Sequence, residues 1–274
     1  MKDTQELKRL IGLSNHKKDS PLLSASIAVS KYGHRYSGFA LKSKTNLMSI
    51  PSEQSALMSA IQAGDTNIVK LKSYYPNFSN SIEPRILGII ADFQRRANVV
   101  VEYSQVDKSG NDKFVVKDTE DFIPYYANSS LDTIKIKSPE LSKSPRLHEL
   151  CVAGTKLAFT THRKASRYGA AVKTKKHYIS GQYSSFDQAS NIHAEIGAVM
   201  AAIIAGDTNI KQIAVVSEKF TSEPTHMCGA CRQFIAELGQ FYGFSPQIKV
   251  FSLDGKKHKE YNLEEYLPNL WSVS

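Results

Sequence analysis

Residues 53–68 read EQSALMSAIQAGDTNI, and residues 195–210 read EIGAVMAAIIAGDTNI. Eleven of the sixteen positions are identical at an offset of 142. Shared helix propensity does not reproduce AGDTNI letter for letter, whereas duplication of a whole unit does. The second copy reads as an apolar helix stopped by Gly206, with Asp207 opening the turn.

The match continues outward more loosely. SIAVSKYGHRYSG (26–38) parallels GAAVKTKKHYISG (169–181), and both read as strand, turn and strand. FIPYY (122–126) parallels YLPNL (266–270). Between the halves, ANSSLDTIKIKSPELSKSPR (127–146) is rich in Ser, Lys and Pro and reads as a linker. The expectation is two domains, 1–140 and 141–274. In the second half a helix is predicted over LHELCVAGTKLAFTTHRK (147–164), then two strands and a helix from about 193 to 205. QIAVVS (212–217) follows as a buried strand, then a helix starting at Cys228, then the strand IKVFS (248–252). Strands alternating with helices predict an α/β layered fold.

The chain has 274 residues, 41% of them hydrophobic and 22% charged, as in ordinary globular proteins. No apolar run approaches the roughly 20 residues of a membrane span, and MKDTQELKRLIGLSNHKKD has no signal-peptide core. A cytoplasmic location is expected. The net charge of +9 is spread over short basic stretches at 16–18, 161–167, 173–177 and 256–259. Solvated turns explain them, and a nucleic-acid partner is the lesser reading. Three cysteines, Cys151, Cys228 and Cys231, do not make a secreted disulfide framework. Cys151 sits in an apolar run and reads as a buried thiol.

His193-Ala194-Glu195 opens one predicted helix, and Cys228-Gly229-Ala230-Cys231 opens another. One histidine and two cysteines make the three protein ligands of a catalytic zinc site, with the fourth position left to water. Helix N-termini suit thiolates, because free N–H groups favour negative charge. The His-x-Glu spacing puts Glu195 near the metal but off its ligand face, where it can move protons. Two other readings stay open here: a structural zinc site closed by Cys151 or His226, and a redox Cys-x-x-Cys pair.

The pattern H-x-E followed by C-x-x-C is the zinc-deaminase signature. With HAE (193–195), CGACRQFIAEL (228–238) and YLPNLW (266–271), the second half resembles cytidine deaminase over essentially its whole length. A histidine ligand together with tandem halves resembles the bacterial two-domain members. The resemblance implies two tandem three-layer α/β/α domains with a mixed central sheet. It implies one zinc per chain on His193, Cys228 and Cys231, with Glu195 as proton shuttle. It also implies that Ala194 contacts the base edge, Arg232 and Gln233 tune the thiolates, and Trp271 helps close the pocket. The implied product is uridine or deoxyuridine plus ammonia, which would place the chain in pyrimidine salvage.

The chain departs from that family at several points. Met227 replaces the proline before the first cysteine. The ribose-binding Asn-x-Glu after the strand-ending glycine is absent; Gly181 is followed by QYSSFD, one residue short, with Tyr183 and Ser185 as the approximate equivalents. The family's phenylalanine before the first core strand is replaced near Ser166. The first half has Pro51-Ser52-Glu53 where the second has His-Ala-Glu, and EPRILGIIADF (83–93), its counterpart of the Cys-x-x-Cys helix, has no cysteine. It is expected to be structural, in the reverse of the family's order. The resemblance further implies a homodimer that assembles four domains. Alternative substrates are a modified cytosine nucleoside of the antibiotic type or single-stranded nucleic acid. A zinc-stabilised nucleoside-binding protein without turnover is the non-enzyme alternative.

Overall fold

The computed structural model describes residues 2–44, 48–77, 83–117, 134, 136–162, 164–185 and 190–267. The first half runs α1 (Lys2–Ile11), β1 (Ala25–Ser30), β2 (Arg35–Phe39), β3 (Leu41–Lys42), β4 (Ser49–Ile50), α2 (Ser52–Gln62), β5 (Ile68–Tyr74), α3 (Pro84–Ala97), β6 (Glu102–Val106) and β7 (Asp112–Val116). The second runs α4 (Leu147–Thr155), β8 (Tyr168–Lys173), β9 (His177–Gly181), α5 (Ala194–Ile204), β10 (Gln212–Ser217), α6 (Gly229–Tyr242), β11 (Gln247–Phe251), β12 (His258–Asn262) and α7 (Leu263–Tyr266).

The architecture is α/β with mixed sheets. One five-stranded sheet has the order β2-β1-β5-β6-β7, and the other, read from its β9 edge, has β9-β8-β10-β11-β12. The strand senses also match. β5 pairs parallel with β6, as β10 does with β11, and every other pairing in the two sheets is antiparallel. Each parallel step is a βαβ crossover, through α3 in one sheet and α6 in the other. The expected linker is described only from residue 136 on, apart from Ile134, and shows neither helix nor strand there.

Alternation along β8 and β10 covers both faces of the second sheet. Ala170, Val172, Ile213 and Val215 face the main core with α5. Ala171, Ala214 and Val216 face the other way, against Leu150 and Cys151 of α4. α4 lies so close to the sheet that a Cβ on Gly169 would collide with the Cys151 carbonyl. The helix expected over 147–164 ends at Thr155, because the chain must turn back there: Phe159 bridges to Tyr183.

α2 and α5, the near-identical repeats, are buried along most of their length. They meet at Gly197, whose missing side chain leaves room for Met58 and Gln62. Gln62 Nε2 donates to the Gly197 carbonyl at 2.7 Å and to Ser180 Oγ at 3.1 Å. One hydrophobic core runs through this contact from Leu7 to Leu263. No described helix is long and apolar enough to cross a membrane.

Candidate metal centre and pocket

The site forms where the N-termini of α5 and α6 meet, beyond the carboxyl end of β10. This is the usual place for a ligand on an open α/β sheet. His193 is the extended N-cap residue of α5, so its ring leaves the helix instead of lying along it. Cys228 is the N-cap of α6, and its Sγ accepts the Cys231 N–H at 3.3 Å. Cys231 then follows in the first turn, buried.

These two caps converge. His193 Nδ1 lies 3.5 Å from Cys228 Sγ and 3.1 Å from Cys231 Sγ. One donor atom from each of the three residues falls within 4.8 Å of the others. The donors share protons unequally. The Cys231 thiol, then His193, hydrogen-bond to Cys228 and hold it down to about 4. The bond to Cys228 pushes His193 up to about 9, and Cys231 rises well above the thiol range for the same reason and because it is buried. One thiolate is therefore formed in advance, and the remaining protons are the ones a divalent metal would displace. One imidazole and two thiols, with no fourth protein donor among the described residues, fit zinc with an open position. Cys151 faces the opposite side of the sheet and cannot close the set.

Glu195 is 3% exposed in the first turn of α5. Burial raises its carboxyl pKa and the His193 charge opposes the rise, so the group can hold a proton nearer neutrality than a surface glutamate does. Glu195, His193 and Cys228 line a cavity of about 220 Å³. The wall opposite comes from Gln182, Tyr183, Ser184, Asn191 and Ile192, with Tyr168 and the exposed His226 completing the lining.

The other residues singled out from sequence take varied places. Ala194 and Tyr183 line the cavity. Ser185 does not; it is buried beside it, its N–H donating to Asn191 Oδ1 at 2.7 Å. Its neighbour Ser184 and its hydrogen-bond partner Asn191 take the wall, on a segment that leaves the sheet after Gly181 and returns only through the Tyr183 bridges. Arg232 is engaged by Tyr266: its guanidinium lies 4.6 Å from that ring and bonds that residue's carbonyl. Gln233 donates to Glu237 at 3.1 Å, and Glu237 accepts from Ser43 of the first half. Trp271 lies outside the described residues. Gln182, Asn191 and Tyr168 were not legible in advance, because separate segments supply them and no short motif spans them; His226, weighed as a fourth metal ligand, stands on the cavity rim outside the donor group.

No family model matches the chain, and no curated protein matches it. Solved structures do. The chain is similar to cytidine deaminase from Burkholderia pseudomallei at 26% identity, over 46% of this chain and 96% of that one, with a TM-score of 0.40. It is similar to the Mycobacterium leprae enzyme at 17%, over 45% and 95%, with a TM-score of 0.36. The Mycobacterium tuberculosis cytidine deaminase matches at 18%, over 46% and 95%, with a TM-score of 0.37. Each covers less than half of this chain at a low score, so the weight falls on the chain's own donor set.

Proposed function

We propose that this protein is a zinc-dependent hydrolase that deaminates a cytosine nucleoside, releasing ammonia. The observation that carries the reading is the convergence of His193, Cys228 and Cys231 beside a buried carboxylic acid on the wall of a nucleoside-sized cavity. The three donors would hold the metal. When bound, zinc supplies Lewis acidity, which lets water ionise near pH 7. Glu195 moves both protons of the water in turn, the first to the ring nitrogen beside C4 and the second, from the oxygen now on C4, to the departing amine. The C4–O bond forms first and the C4–N bond then breaks, releasing ammonia and leaving a carbonyl at C4; the raised pKa of Glu195 suits both directions of transfer. Ala194, at the cavity wall between His193 and Glu195, offers backbone to the base edge.

Among the described lining residues, Gln182, Ser184 and Asn191 are neutral and Glu195 is the one carboxylate. The sequence QYSSFD after Gly181, which lacks Asn-x-Glu, motivates as second reading a modified cytosine nucleoside of the antibiotic type. Plain cytidine should then be a poor substrate, with kcat/KM below about 10⁵ M⁻¹s⁻¹.

The remaining parts of the reading are proposals of the same standing. Residues 1–140 form a structural domain without zinc ligands, residues 141–274 the catalytic one, and the identical sheet orders support an origin by duplication. The chain pairs with a second copy into a four-domain homodimer, in the cytoplasm. One experiment tests the core: zinc content of metal-replete protein, with ammonia release from cytidine, deoxycytidine, CMP, a blasticidin-type nucleoside and a single-stranded oligonucleotide. One zinc per chain and release from a nucleoside are expected. Two zincs, or release from the oligonucleotide alone, would overturn the assignment.

A further inference from the structure

A buried ion pair reaches from the first half into the pocket wall of the second. Arg96 in α3 is 0% exposed, and Asp92, one turn earlier, is 1% exposed. Arg96 Nε donates to Asp92 Oδ1 at 3.0 Å, and a terminal nitrogen bonds Oδ2. The other terminal nitrogen donates across the halves to the Thr160 carbonyl at 3.1 Å. The guanidinium carbon lies 4.0 Å from the centroid of the Phe159 ring and 5.5 Å from that of Tyr183.

Phe159 and Tyr183 belong to the pocket's frame. Phe159 N–H donates to the Gln182 carbonyl, and Ser184 N–H donates to the Phe159 carbonyl, both at 2.8 Å. Tyr183 exchanges both backbone bonds with Ile192, again at 2.8 Å. Ile192 precedes His193. A continuous path of bonded groups therefore joins Arg96 to the wall and to the first metal donor.

Packing alone does not call for such a pair. Desolvating two charges is expensive, and apolar residues of similar volume often stabilise as well or better. What apolar residues cannot do is span a carboxylate and a carbonyl in one fixed plane, which the guanidinium fork does. The arrangement is also one-sided. α3 and α6 are both 14 residues long and end in left-handed caps at Asn98 and Gly243. That registers Arg96 with Phe241, which is 49% exposed and spans nothing.

We propose that Arg96 is a positioning residue. Acting from the first half, it holds the Phe159–Tyr183–Ile192 frame, and through it the pocket wall. The kinetic consequence rests on the deaminase reading; the structural consequence does not.

The test uses the full chain as wild type, Arg96→Met and Arg96→Lys. It measures amide hydrogen exchange, zinc content and steady-state kinetics on cytidine. In Arg96→Met, segments 157–160, 180–185 and 190–193 should exchange about tenfold faster or more, while α2 and β10 keep the wild-type rate. KM should rise about tenfold with kcat within about threefold, the signature of a displaced wall rather than lost chemistry. Zinc content should not change. Arg96→Lys keeps a charge near Asp92 but cannot span both acceptors, so it should show the same pattern at smaller size; it decides the matter if Arg96→Met does not fold. Unchanged exchange in those segments, or acceleration spread evenly over both halves, overturns the proposal. If the wild type is inactive on every cytosine compound, the deaminase reading falls and the exchange measurement alone decides this one.

Discussion

Glu195 and Glu53 stand at the same place on repeated helices, both buried, and their surroundings make them different groups. Glu195 hydrogen-bonds the Cys231 thiol, feels the His193 charge and lines a cavity of about 220 Å³. Glu53 is saturated by hydroxyls. Tyr75 and Tyr103 donate to its Oε1 at 2.7 and 3.0 Å, and Ser52 donates to Oε2 at 3.2 Å. Ser26 bonds both Ser52 and Ser73 at 2.7 Å, continuing the network behind it. The cavity beside Pro51 is reduced to about 40 Å³ and includes Tyr75 in its lining. One helix N-terminus thus serves two ends. A carboxylate given a full set of donors is a structural group, and one left facing metal donors can move protons.

Five outcomes would break or sharpen this contrast, in order of size. Residues 145–274 expressed alone should be insoluble or inactive, because one core runs through both halves; a soluble, fully active fragment would refute the supporting role of the first half. Cys228→Ala should lose both zinc and activity, read by elemental analysis and ammonia release. Glu195→Ala should keep zinc and lose about 10²- to 10⁴-fold in kcat; if the metal left instead, Glu195 would be a ligand. Tyr103→Phe should leave kcat/KM unchanged but destabilise by about 1.5–3 kcal/mol in denaturant titration, the range for a hydrogen bond to a charged group. A loss of activity without loss of stability would place the first half in the chemistry.

The smallest effect is a pH dependence. His16 lines the small first-half cavity, and burial, then the Lys42 charge, pushes its pKa from 6.5 down to about 4. Between those values the unfolded chain binds a proton that the folded chain excludes. Stability therefore falls as pH drops through that window. His16→Asn should flatten that limb of the melting-temperature profile, and an unchanged profile would clear His16 of the effect.

Much of this was open to reading before any coordinates, wherever the signal was local. The helix stop at Gly206, the strand over 212–217 and the helix opening at Cys228 each lie within one short window, and the repeat is letter-for-letter over its AGDTNI ending. His193, Glu195, Cys228 and Cys231 stood out because ligand chemistry restricts residue type and spacing. The helix over 147–164 was overrun because apolar periodicity does not register the turn at Thr155 that the Phe159 bridge requires. Arg232 was assigned to the thiolates from its place after Cys231, yet an aromatic ring and a carbonyl from 34 residues on claim it.

The sequence by itself determined that two similar α/β units exist and that only the second has a complete donor set. Both follow from residue identity along a single segment. Only the tertiary structure decided which side chains form the cavity wall, why Ser184 and Asn191 stand there and Ser185 does not, and how Glu53 is sealed. It alone put Arg96 of α3 against Phe159 and Tyr183. Those outcomes depend on segments far apart in sequence meeting at distances of a few ångströms, and no local pattern encodes where a buried side chain finds its partner.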